Sequence, residues 1–430
     1  MVNARPVPLV RNRDFLLLWS GQTISSLGSS MSGIAFPLLV LAITHSPSVA
    51  GIIGALAWLP YVLFGLPAGA LVDRWNRKRA MIVCDTGRAL LLGSIAIALA
   101  LGRLTFVQLV VVVFGEGTLY VFFNLANNAA ITRVVPKSQL AAATARDQFS
   151  AGSTVLTGPA LGTALFAIAR LLPFAADAIS YAFSAISLWF IRTPFQEDRS
   201  APQKQLWHEI REGMHWLWEH PILRRMAGVV SSAALLQSGQ ILIVIVAAQR
   251  QHLPSALIGV IFTIGGIGSL LGSFVSGSIN RRFAFGRIIG VSIGAWAIGY
   301  AGYALGAIVA FPTLFHLPSV LLVLGGTTAI ISIALSIFNV ASFSYRVSLI
   351  PDELQGRVNS VFRLIGWGTI PVGQVIVGAL LQNIGPAPTA ILIALGLAVL
   401  TLVVMVTPAL QRAKSLADGH AHESSQRSEE

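Results

Sequence analysis

Apolar residues run through this chain in long blocks, separated by short polar or Gly/Pro-containing breaks. Crossing roughly 30 Å of hydrocarbon takes about 20 residues as helix, and inside lipid only helices and closed barrels satisfy every backbone N–H and C=O. Continuous runs, rather than alternation with period two, select helices. Spans are expected near 15–43, 49–72, 81–101, 105–131, 140–169, 171–191, 226–249, 256–279, 287–310, 319–345, 357–383 and 386–408. The pattern therefore predicts an all-α membrane protein of about 12 transmembrane helices. The breaks at Gly102-Arg103, Arg170 and Gly385-Pro386 are short, so the hairpins there admit small shifts of boundary.

Composition agrees: 55% of residues are hydrophobic and only 11% charged, a balance that no soluble fold of this size shows. The excess of Lys and Arg is explained by topology and anionic lipid rather than by nucleic acid. Arg5, Arg11, Arg13, the run Arg74 to Arg79, Arg133, Lys137, Arg281, Arg282, Arg287, Arg346, Arg357, Arg412 and Lys414 all fall on one side; Arg103, Arg170 and Arg250 fall on the other. The basic side is cytoplasmic, so both termini are expected there. Cys84 is the sole cysteine, which excludes an intramolecular disulfide and a cysteine-based metal site. The first apolar stretch outruns a signal-peptide core and lacks a cleavage site, so it is kept as a helix. The tail after Ala413 reads as disordered. No phosphate-binding loop, zinc-binding His-Glu-x-x-His or nucleophile elbow is present, and an enzyme is not expected; neither is a metal or cofactor.

The chain repeats itself. Val135-Pro136-Lys-Ser-Gln139-Leu140 precedes a helix with Gly158-Pro159, and Ile350-Pro351-Asp-Glu-Leu354-Gln355 precedes one with Pro371-Val-Gly373. A weaker echo sets Gly69 to Arg79 against Gly277 to Arg282, with Asn280 where Asp73 would be. Four parts follow: a six-helix bundle at 1–191, a cytoplasmic linker at 192–225, a second six-helix bundle at 226–408 and a tail at 409–430. In the linker Leu206, Ile210, Met214 and Leu217 recur at helical spacing opposite charged positions, which predicts an amphipathic helix on the membrane face.

The loop Gly69-Ala-Leu-Val-Asp73-Arg74-Trp-Asn76-Arg77-Lys78 resembles the Gly-x-x-x-Asp-Arg-x-Gly-Arg-Lys signature of the major facilitator superfamily, with Asn76 at the second glycine position. Asn tolerates a left-handed backbone, so the turn is expected to survive. Gly158-Pro159-Ala-Leu-Gly162 resembles the exporter-associated Gly-Pro-x-x-Gly-Gly, with Thr163 in place of the last glycine. Glu212-Gly213-Met-His-Trp216-Leu217, Asn12-Arg13-Asp14-Phe15 and Ala176-Asp177-Ala-Ile-Ser180 resemble the macrolide-efflux and enterobactin-exporter branch. The resemblance implies two six-helix repeats that alternate access, a multi-pass place in a bacterial cell (inner) membrane, and a gate built from Gly69, Asp73, Arg74, Arg77, Lys78, Asp85, Arg88, Gly158 and Pro159.

Charges inside a bilayer are costly, which marks Glu116 as a functional candidate. Burial disfavours its charged form, and a carboxyl that binds a proton near neutral pH could exchange it for substrate. Permanent protonation, or pairing with an interior arginine for packing alone, is the competing reading. The span also departs from many drug/proton antiporters of this superfamily in lacking an arginine followed by Gln-Gly. Candidate substrate contacts are Gln22, Ser26, Trp58, Tyr120, Asn124, Asn127, Gln237, Gln240, Asn339 and Arg363, polar or aromatic side chains within spans. The reading is a secondary active transporter, a monomer, exporting bulky amphipathic small molecules such as macrolides in exchange for protons. A siderophore exporter, a lysophospholipid flippase and a metabolite importer are the alternatives.

Overall fold

The computed structural model describes residues 9–195, 206–308, 319–351 and 353–411. Arg5, residues 196–205 of the linker, Arg412, Lys414 and the His-containing tail lie outside the described residues. Seventeen α-helices and no strands occur among the described residues. They are α1 (Arg13–Thr44), α2 (Pro47–Phe64), α3 (Pro67–Arg74), α4 (Arg77–Ala100), α5 (Phe106–Val134), α6 (Leu140–Ile168), α7 (Leu172–Phe190), α8 (Leu206–Glu219), α9 (Pro221–Gln237), α10 (Gln240–Arg250), α11 (Ser255–Arg282), α12 (Phe285–Ile308), α13 (Ser319–Leu349), α14 (Gln355–Gly368), α15 (Ile370–Asn383), α16 (Pro386–Val406) and α17 (Pro408–Gln411).

Eleven helical stretches among the described residues are long and apolar enough to cross a membrane, with α9 and α10 forming one and α14 and α15 another. Of the expected spans, α7 alone falls outside that set. Its 19 residues include Asp177, Ser180, Tyr181, Ser184 and Ser187, all buried, which lower its hydropathy while pointing into the protein. Three runs read as continuous are interrupted: 49–72 at Gly65-Leu66, 226–249 at Ser238-Gly239 and 357–383 at Thr369. Hydropathy does not register such breaks, because the residues around them stay apolar.

Contacts divide the chain into a first unit, Met1–His45 with Ile53–Leu206, and a second, Ser46–Ile52 with Trp207–Glu430. In the first unit α1 packs on α6 and α7, and α4 on α5 and α7. In the second, α13 packs on α11 and α12, α12 on α16, and α9 on α14, α15 and α16. Helix α4 shows the reason for the arrangement. Val83, Leu90 and Ile97, seven residues apart, form an exposed apolar stripe, while Asp85, Arg88, Leu92 and Ile95 are buried. The apolar face suits lipid and the polar face is turned inward, the reverse of a soluble amphipathic helix.

Capping contacts gather at one end of the first unit. Asn12 accepts from Phe15 N (3.1 Å) as the N-cap of α1, and its Nδ2 donates to Val134 O at the end of α5 (3.0 Å). Asp14 Oδ2 accepts from Thr193 N (2.8 Å) and Thr193 Oγ1 (2.6 Å). Lys78 Nζ donates to Trp189 O (3.0 Å) and Ile191 O (2.6 Å), placing a cation on the negative end of α7. Asn76 departs from expectation. Its backbone is extended (φ −69°), not left-handed, and its side chain caps α4 by accepting from Arg79 N at 3.0 Å. A side-chain oxygen in place of the glycine thus satisfies an otherwise orphaned N–H. True left-handed glycines stand at Gly102 (φ +63°) and Gly385 (φ +81°), in two of the expected breaks.

Candidate functional site: a buried charge cluster in the first unit

Glu116 lies on α5 and Arg88 on α4. Arg88 Nε and Nη2 both donate to Glu116 Oε1, at 3.1 and 2.5 Å. The arginine side chain is 3% exposed and the glutamate 23%, so the pair is reached from one side only, through the carboxylate. The guanidinium also lies over the Tyr181 ring, 3.9 Å from its centroid, and 5.4 Å from that of Tyr120. A desolvated cation over an aromatic face gains about 2 kcal/mol, which lowers the cost of holding it in the bundle.

Helix α7 supplies the rest. Tyr181 Oη donates to Glu116 Oε1 (3.3 Å) and lies 2.7 Å from Ser29 Oγ of α1. Asp177, fully buried, accepts from Ser32 Oγ at 2.5 Å and Ser180 Oγ at 3.1 Å. This needs α1 and α7 to approach closely at Gly28, where an added Cβ would meet Asp177 Oδ1 at 2.5 Å. On α4, Asp85 is fully buried and neither carboxylate oxygen has a hydrogen-bond partner. Ser184 is a polar neighbour of Asp85, but it makes no bond of ordinary geometry with it and instead accepts from Gln22 Nε2 at 3.2 Å.

Asp85 and Arg88 were expected at the start of a span, in the gate. The structure places them eight and eleven residues into α4, with Arg88 against Glu116 rather than beside the Arg74–Arg79 loop. Asp177, Tyr181 and Ser32 were not expected in a site. Asp177 carries the signal that marked Glu116, a carboxyl within an apolar run, but it had been absorbed into a branch motif. Gly158 and Gly162 hold α6 against α1, where an added Cβ at Gly162 would stand 2.6 Å from Met31 O. Gly69 has nothing within 4 Å of such a Cβ. Arg74 is exposed and Arg77 half-buried, while the side chain of Asp73 lies outside what is described.

Tyr120 is exposed and accepts from Asn124 Nδ2 at 3.2 Å, beside the cluster; Trp58 and Ser26 are exposed. Asn127 is half-buried, with Oδ1 lacking a partner. In the second unit Gln240 Nε2 donates to Tyr303 Oη (3.0 Å), Gln237 Nε2 is buried without a partner, and Asn339 is exposed. Arg363 lies over the Trp367 ring at 4.7 Å. Among the described residues no group of three or more His, Cys, Asp or Glu side chains is placed to hold a metal ion.

Eleven helical stretches long and apolar enough to cross a membrane, with an ion pair embedded among them, mark a polytopic membrane protein. The chain belongs to the Major Facilitator Superfamily, whose profile matches residues 18–371. It is 28% identical over 303 residues to the MFS-type transporter YfiS of Bacillus subtilis, covering 68% of this chain and 70% of that one. Macrolide efflux protein A of Streptococcus pyogenes is 27% identical over 202 residues, 46% of this chain and 50% of that one. The multidrug efflux pump Tap of Mycolicibacterium fortuitum is 25% identical over 424 residues, 96% and 98% of the two chains. Among solved structures, the nucleoside transporter NupG has a TM-score of 0.73 at 15% identity, covering 94% of this chain and all (100%) of that one. A bacterial homologue of the human lysosomal transporter Spinster has a TM-score of 0.67 at 15% identity over 96% of this chain and 98% of that one. At these identities the solved structures share the fold alone.

Proposed function

We propose that the protein is a proton-coupled exporter of bulky amphipathic small molecules, macrolide-like compounds first among them, working by alternating access in a bacterial inner membrane. The observation that carries this reading is the Arg88–Glu116 pair: a carboxylate held inside an apolar bundle by one buried cation, yet open on one side. Such a carboxylate can take a proton from the accessible side and release its partner, which is what coupling requires. Export, rather than uptake, is supported by the named efflux relatives and by the Gly158-Pro159 element. In this reading α7 is a twelfth span, its polar residues serving the cluster, and both termini are cytoplasmic, on the side where Lys78, Asp14 and Asn12 tie the helix ends. The exposed Tyr120 with Asn124, Asn127 and Trp58 supplies a substrate face in the first unit, and Gln237, Gln240, Asn339 and Arg363 a polar face in the second. Protons and lipid are the partners of a monomer that needs no cofactor.

The test is gradient-driven export of a macrolide and of an amphipathic dye from proteoliposomes, wild type against Glu116→Gln at matched incorporation. Wild type accumulates both against their gradients, and Glu116→Gln loses that accumulation while retaining ligand binding. Equal coupled transport by the variant would remove Glu116 from the mechanism. Wild-type protein that moves neither compound would shift the assignment to siderophores or lysolipids.

A further inference from the structure

In the first unit a single guanidinium stands among three carboxyls. Arg88 is the only buried Lys or Arg among its described residues, and it lies within electrostatic reach of Glu116, Asp85 and Asp177. Ionising all three would leave two uncompensated negative charges in the bundle, and groups so placed neutralise instead. The guanidinium directs both Nε and Nη2 at Glu116, which leaves Asp85 and Asp177 with no cation bonded to them. Their surroundings differ. Asp177 has two hydroxyl partners, whereas Asp85 has none, although it stands one helical turn from Arg88 on the same face of α4.

We propose that Asp85 and Asp177 hold protons while Arg88 is paired with Glu116, that Asp85 is a second proton-carrying carboxyl, and that Arg88 alternates between Glu116 and Asp85 as a proton crosses the cluster. A proton arriving on the exposed side of Glu116 neutralises it and frees the guanidinium. Arg88 turns to Asp85, whose carboxyl gives up its proton and becomes the new counter-ion. One proton has entered and one has left, and the cluster has kept one cation and one anion throughout. Asp85 lies three residues nearer the Arg77 end of α4, about 4.5 Å along the axis, so the charge moves toward that end. Titratable neighbours come from each helix packed on this part of α4. Cys84 and Arg88 are its own, Glu116 and Tyr120 come from α5, and Asp177 and Tyr181 from α7. Helix α1 adds Gln22, Ser29 and Ser32, none of which titrates.

The role in transport rests on the proton-coupled reading above; the protonation states do not, and they can be read without transport. Infrared spectra of the purified full-length protein in lipid nanodiscs at pH 7 should show a protonated-carboxyl C=O band from two groups. Glu116→Gln, a near-isosteric change at the partly exposed member, should halve that band, because Arg88 then takes Asp85 as its anion. Asp85→Asn should remove one component and Asp177→Asn the other. An undiminished band in Glu116→Gln, or no such band in wild type, would overturn the proposal. In proteoliposomes Asp85→Asn should lose gradient-driven accumulation while keeping substrate exchange, and wild-type accumulation by this variant would equally overturn it. Should wild type move no substrate, export falls, while the spectra still decide for or against Asp85.

Discussion

Eleven residues after the first residue of α4 stands Arg88, and eleven after the first residue of α12 stands Trp296. Glu116 comes 18 residues before the last residue of α5, and Ile331 comes 18 before the last of α13. In the first unit these places make an ion pair; in the second, Trp296 Nε1 donates to the Ile331 carbonyl at 3.1 Å. Helix pairs that match in their counted positions are thus joined by different chemistry, an ion pair in one unit and a neutral bond in the other. No Asp or Glu occurs anywhere from Pro221 to Gln411 except Asp352 and Glu353. The carboxyls buried within spans therefore stand in the first unit, while the charged contacts of the second, Arg357 with Glu212 and Arg346 with Asn359, lie near helix ends and leave the Trp296–Ile331 and Gln240–Tyr303 contacts neutral.

The strongest way to break this comparison is to remove the cation. Arg88→Gln leaves a carboxyl cluster without its counter-charge, and breaking a buried pair typically costs about 3–5 kcal/mol. Thermal unfolding of the purified variant at pH 7 measures it. The loss should shrink as pH falls, since protons then neutralise what the guanidinium did. A loss that stays constant down to acidic pH would mean that Arg88 acts by packing against Tyr181 alone.

Backbone packing is where the units should agree. Gly158 and Gly162 seat α6 against Ser30 and Met31 of α1, and Gly268 and Gly272, also four residues apart, seat α11 against Ala329 and Ile333 of α13. A Cβ at Gly162 or at Gly268 would lie 2.6 Å from a backbone oxygen, which cannot move as a side-chain tip can. Gly162→Leu and Gly268→Leu should each cost about 1–3 kcal/mol by forcing the helices apart. Neither loss should depend on pH, and the two unfolding shifts should match. A shift at Gly162 alone would give the Gly158-Pro159 element a role beyond close packing.

The all-helical, multi-pass character was legible because the solvent imposes it: continuous apolar blocks long enough to span lipid select helices. The interruptions at Gly65-Leu66, Ser238-Gly239 and Thr369 were not, since hydropathy does not change there. In the cluster, Glu116 could be read directly as a charge in an apolar run. Its partner could not, because Arg88 is 28 residues away on another helix and periodicity within one helix says nothing about which face a neighbour presents. Asp177 carried the same signal as Glu116 yet was read as part of a motif. Asp85 was seen, but its proximity to a charged loop in sequence suggested the gate, whereas two turns of helix take it into the bundle.

The smallest expected effect tests the neutral side of the comparison. Thr328 Oγ1 donates to Leu324 O at 2.6 Å, so the Tyr303 hydroxyl, 2.9 Å away, donates to Thr328 and accepts from Gln240 Nε2. This is a one-way chain of amide, phenol and hydroxyl that ends on a carbonyl and leaves no proton to be gained near neutral pH. Tyr303→Phe removes its middle link, and because Gln240 is only half-buried its amide can rehydrate. The net cost should be about 1 kcal/mol. Gln240→Leu combined with Tyr303→Phe should cost less than the two single changes added, since both remove the same bond. Unfolding measured between pH 5 and 8 should show the same loss at every point. A loss that varied with pH would place a titrating partner beside Tyr303 and end the contrast between an ion pair at Glu116 and a neutral chain at Tyr303.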